Sequence, residues 1–174
     1  MAVMLPGPAF STPPPPSKAA LDLVAATRFD EFVAEAAAVG GRNLFTQGKL
    51  TRQQFNCVIL RPEDWTQDVA RFFSGALTEE ELAIAAAYFH TKSGQSLMSE
   101  IARERDARRR GDTSFKRKPL GESPDADAQA FAETTAAKKF LSQGLGNNAG
   151  LEQLTRIRIE AELRKCAGAE PSGS

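Results

Sequence analysis

The sequence predicts a compact all-α bundle of about seven helices, and three observations carry that prediction. Thr51 and Thr78 each open an apolar-periodic stretch with Gln54 or Glu81 three positions on. That is the capping-box pattern, and the pairs Leu50 with Phe55 and Leu77 with Leu82 complete a hydrophobic staple at each start. A second device, a Thr-centred segment between two helical stretches, occurs twice. No run of alternating apolar and polar residues is long enough for a strand. The β-prone run at 57–60 follows a capping box and reads as helix.

The elements follow in order. Residues 1–16 hold Pro6, Pro8 and Pro13 to Pro16. They read as an extended Pro-rich tail, because proline fixes φ and lacks the backbone donor. A single helical domain is expected over 17–167. Leu21, Val24, Phe29, Phe32, Val33 and Ala36 form one apolar stripe at three- and four-residue spacing, with Gly40 and Gly41 as its stop signal. The helix after Thr51 should end before Pro62. Pro62 with Glu63 and Asp64 suits the first turn of another, carrying Trp65, Val69, Phe72 and Phe73 to a stop near Gly75. The helix from Thr78 buries Leu82, Ala85, Ala86 and Phe89. After a break at 90–93, the next carries Leu97, Met98 and Ile101 into a basic connector at about 103–122. Ser123 and Pro124 open a helix with Phe131. A further segment with Phe140 ends at Gly144. Asn147 or Asn148 caps a final helix with Leu151, Leu154 and Ile157, and 168–174 form a small polar tail.

The repeated device runs from Tyr88 to Leu97 and again from Phe131 to Phe140. Each copy sets an aromatic at a helix end, then Thr91 or Thr134, then Gly94 or Ala137, then a polar residue, then a large apolar one. Thr caps the new helix, and the small residue lets the two helices approach. Thr78, Glu81, Phe89, Thr91, Gly94, Gln95 and Leu97 together resemble the signature of domain of unknown function family 2059, a set of small exported all-helical bacterial proteins. The resemblance implies an envelope or periplasmic location and carries over no reaction. The second copy departs from the signature at Ala137.

Composition narrows the function. The formal net charge is zero, so no global field steers nucleic acid, and none is expected as a partner. Eleven Phe against one Trp and one Tyr place the aromatic mass in a core. No apolar run approaches the roughly 18 residues of a membrane span. The Met1 and Pro-rich start reads as a mature terminus from which a signal peptide has been removed. Cys57 and Cys166 are either two buried thiols or, in an exported chain, one bridge. Neither lies in a C-x-x-C pair that would point to zinc.

No catalytic centre, metal site or cofactor site emerges. His90 is the only histidine and no nucleophile elbow accompanies it. Glu79, Glu80 and Glu81 are explained by the helix dipole. The Gly144–Gly146 pair lacks the strand and third glycine of a nucleotide loop. The basic connector is the main functional candidate: Arg108, Arg109, Arg110, Lys116, Arg117 and Lys118 could meet an anionic partner, including a lipid or glycan surface. The expected function is non-enzymatic: an exported accessory or inhibitor-like protein that binds another protein. The alternative is a carrier for a small apolar ligand or lipid, held between Phe-rich helices.

Overall fold

The computed structural model describes residues 15–59, 61–117, 119–142 and 149–168. Among them are nine α-helices, one short 3-10 turn at Leu120–Glu122 and no strand. The helices are α1 (Lys18–Thr27), α2 (Phe29–Thr46), α3 (Arg52–Val58), α4 (Pro62–Ala76), α5 (Glu79–Phe89), α6 (Lys92–Arg109), α7 (Ala126–Ala132), α8 (Thr135–Ser142) and α9 (Ala149–Gly168). α5 is the centre of the bundle and packs on α1, α6, α7 and α8. α4 lies across α1 and α2, and α9 rests on α3 and α2.

Both capping boxes form. Thr51 Oγ1 accepts from the Gln54 N–H at 3.2 Å, and the Thr51 N–H donates to Gln54 Oε1 at 2.9 Å. The Thr78–Glu81 pair repeats this at 3.3 and 2.9 Å. Each box satisfies helix-start donors that would otherwise lack partners.

Two boundaries differ from the sequence reading, and the first splits one expected helix into two; nine helices stand among the described residues where about seven were expected. The first apolar stripe is broken at Arg28, which takes a left-handed backbone with φ 52° and ψ 37°. Its N–H closes α1 on the Val24 carbonyl, and α2 begins at the next residue. Asn or Gly would adopt this geometry at lower cost than Arg. The second difference lies at Gly40 and Gly41, which do not stop α2. Gly41 is buried, and a Cβ there would come within 3.3 Å of Val58 Cγ2. The missing side chain lets α3 close onto α2, so the glycine serves packing between helices rather than termination. α6 likewise continues through the first half of the basic stretch to Arg109. The expected Asn147 or Asn148 cap and the Gly144–Gly146 turn lie outside the described residues. So do 1–14 of the Pro-rich tail and 169–174 of the polar tail.

The core is aromatic at its centre. Trp65, Phe29, Phe73, Phe89 and Phe140 are fully buried. Phe140 lies 4.9 Å from Phe89, 5.6 Å from Phe29 and 5.9 Å from Phe73, centroid to centroid, which joins α8 to α5, α2 and α4. Each buried ring of this size stabilises by about 1.5–3 kcal/mol through area alone. Leu23 and Val24 of α1, Val33 of α2, Val69 of α4 and Leu82 of α5 fill the space around the rings.

Candidate functional site

The two Thr-centred joints have the same hydrogen bonding. Thr91 Oγ1 donates to the Tyr88 carbonyl at 2.7 Å and accepts from the Gly94 N–H at 3.1 Å. Thr134 Oγ1 donates to the Phe131 carbonyl at 2.7 Å and accepts from the Ala137 N–H at 3.0 Å. One hydroxyl thus closes the outgoing helix and caps the incoming one. Gly94 is required for contact: a Cβ there would abut the Tyr88 carbonyl and lie 2.5 Å from Phe89 Cα. The second joint has room for the Ala137 methyl, which is buried. Leu97 and Phe140 end the two copies, both in the core.

Two signature residues have partners that spacing does not reveal. Gln95 Nε2 donates to the Ala26 carbonyl at 2.9 Å and to the Phe89 carbonyl at 2.6 Å, tying the start of α6 to the ends of α1 and α5. Glu81 accepts from Lys139 Nζ at 2.7 Å as well as from its own cap, joining α5 to α8. The Lys139 hydrogen bond, then the Thr78 N–H, hold the Glu81 carboxyl below the usual carboxylate range. These residues together form a structural joint.

Cys57 in α3 and Cys166 in α9 are paired as a disulfide, with Cα atoms 6.5 Å apart at a sequence separation of 109. The bridge fixes the far end of α9 beside the α2–α3 corner. The basic stretch is largely occupied internally. Arg109 Nη1 meets Glu35 Oε1 at 2.6 Å, and Arg117 Nε lies 3.5 Å from Glu104 Oε2. Arg110 and Lys116 are exposed. The Arg108 side chain and Lys118 lie outside the described residues. His90 Nε2 bonds Asp22 Oδ1 at 3.0 Å on the surface, and no described hydroxyl or thiol bonds to it. Among the described residues no group of three His, Cys, Asp or Glu is placed to hold a metal ion. None of the helices among them is long and apolar enough to cross a membrane.

Two clefts remain. One, of about 460 Å³, lies between α6, the connector and the start of α7. Tyr88, Glu100, Arg103, Phe115 and Asp125 border it, and Arg103 stands 5.5 Å over the Phe115 ring. Burial pushes the Tyr88 phenol upward, partly offset by the Ser93 hydroxyl. The other, of about 600 Å³, lies between α2, the end of α6 and α9. α2 contributes Phe32, Val33, Ala36, Ala37, Gly40 and Leu44. α9 contributes Ile159 and Leu163 with Thr155, Arg156 and Glu160, and α6 contributes Arg105 and Arg109. The groove exists because α2 presents small residues to it; nothing lies within 4 Å of a Cβ added at Gly40. Arg105 stacks 4.6 Å over the Phe32 ring and meets Glu35 Oε2 at 3.1 Å.

The sequence reading did not find this groove, because it ended the helix at Gly40. The register Phe32, Ala36, Gly40, Leu44 was the available signal, since four-residue steps keep one face of a continuing helix. No protein-family model, curated protein or solved structure matches the chain.

Proposed function

We propose that this chain is a non-enzymatic binding protein of the cell envelope that holds a small apolar ligand between α2 and α9. The α2–α6–α9 groove carries this reading. Its volume of about 600 Å³ falls within the range of roughly 300–1,000 Å³ for small-molecule sites. Its lining has the composition of such sites, mostly apolar with a few placed polar groups. The thirteen residues that line it fall short of the roughly 20–30 per side of a stable protein interface. A protein partner on the basic stretch has less support, because Arg109 and Arg117 already hold Glu35 and Glu104.

The envelope location draws support from the Cys57–Cys166 bridge, since disulfides persist in oxidising compartments. The resemblance to family 2059 points the same way.

The test is uptake by delipidated protein, read by native mass spectrometry against a mixture of fatty acids and phospholipids. Wild type should retain a ligand. Gly40→Leu should not, because the new side chain enters the groove while the helix gains propensity. A wild type that takes up nothing overturns the carrier reading. A Gly40→Leu variant that binds as wild type overturns the groove as its site.

A further inference from the structure

We infer that the ligand of this groove is a single-chain amphiphile with an anionic head, gripped by Arg105, Arg109 and Arg156; the inference rests on the carrier reading above. The charged residues in the lining are these three arginines and Glu160. Glu35, which holds Arg105 and Arg109 at 3.1 and 2.6 Å, lies outside the lining. The surface that a ligand meets is therefore cationic.

The guanidiniums also have donors to spare. A guanidinium carries five N–H groups in a fixed fork. Arg105 and Arg109 share a single Glu35 carboxylate. The Arg105 and Arg109 side chains remain 24% and 36% exposed, while the buried Arg105 Nε lies 3.5 Å from Asp106 Oδ1. Arg156, on the facing wall, has no ion pair among the described residues. A carboxylate or phosphate can thus be bound between the walls without displacing Glu35, by the bidentate geometry that suits both groups.

The apolar part of the groove limits the tail. From Phe32 to Leu44 the helix rises about 18 Å at 1.5 Å per residue. A volume of about 600 Å³ spread over that length gives a cross-section of roughly 30 Å². A partner helix, about 10–12 Å across, has a cross-section of roughly 80–110 Å², about three times that. An extended peptide is disfavoured for another reason: the walls are helices whose backbone groups are already bonded internally, so the peptide backbone would find few partners. One hydrocarbon chain meets both conditions.

The experiment titrates delipidated full-length protein with decanoate, decyl phosphate and decanol by calorimetry at fixed ionic strength. At least one acid should bind about tenfold or more tightly than the alcohol, as expected for a charge-assisted hydrogen-bond pair. Whichever acid binds more tightly identifies the head as carboxylate or phosphate. Arg156→Gln, a surface change, and Arg105→Gln should each weaken the acid several-fold and leave the alcohol unchanged. Alcohol and acids of equal affinity would overturn the anionic head and leave the carrier reading standing. Binding by none of the three would overturn both. Thermal melts of the two variants show whether a loss reflects the head site or the fold.

Discussion

Tyr88 and Phe131 occupy the same position in the two joints and stack on each other, their centroids 4.0 Å apart and their planes 11° from parallel. The stack makes the repeat a three-dimensional relationship: each joint places its aromatic against the other's. Phe131 also meets Phe89 edge-on at 5.7 Å, so the pair continues into the core cluster. Phe131→Ala should destabilise the fold by about 3–5 kcal/mol. For a domain of this size that lowers the melting temperature on the order of 10 °C. A circular-dichroism melt checks this, and a shift under a few degrees would show that the stack contributes little.

The joints differ at Gly94 and Ala137, and exchanging the small residue should destabilise each joint for a different reason. Gly94→Ala drives a methyl into the Tyr88 and Phe89 backbone. It should cost about 1–3 kcal/mol, as overpacking does. Ala137→Gly removes one buried methyl and adds backbone freedom, a loss of about 1 kcal/mol. Urea unfolding of both variants decides the matter. A Gly94→Ala variant as stable as wild type would mean that the first joint can open.

Glu81 gives the fold a defined response to acid. Its carboxyl is held below the usual range by Lys139 and the Thr78 N–H, so the folded chain binds a proton there less readily than the unfolded chain. The contribution is whole above the usual carboxylate range and is lost as pH falls through the depressed value. The melting-temperature gap between wild type and Glu81→Gln should therefore be widest near neutrality and shrink on acidification towards about pH 3. A gap independent of pH would remove Glu81 from the acid response.

The Cys57–Cys166 bridge closes a long loop and fixes one wall of the groove. Replacing both residues by serine should cost about 2–4 kcal/mol. It should also speed proteolysis within α9 more than within α5. Equal protection of the two helices, measured by limited digestion and mass spectrometry, would show that packing alone holds α9.

The all-α fold was legible because its signals are local. A cap, a staple and a four-residue apolar step each depend on neighbours in the chain, and Thr51, Thr78 and Thr91 announce themselves that way. Gly41 and Arg28 were not legible. The role of Gly41 depends on Val58 and Phe55 from another helix, and nothing in the neighbours of Arg28 marks a left-handed residue. The groove was hidden for the same reason. Its walls come from three helices, and Arg105 and Arg109 sit in a sequence stretch that reads as one basic connector, 47 or more positions before Arg156 on the facing wall. The Lys139 bond to Glu81 and the Gln95 bond to the Ala26 carbonyl are likewise long-range contacts that spacing does not show.

The bridge has one further consequence. The exposed residues 110–114 lie between the two cysteines in sequence and offer a protease an accessible stretch of chain. Such a cut leaves the two fragments covalently tied, with α5 and α6 in one and α7 and α8 in the other, still packed through shared aromatic rings. The molecule is thus arranged to survive being nicked.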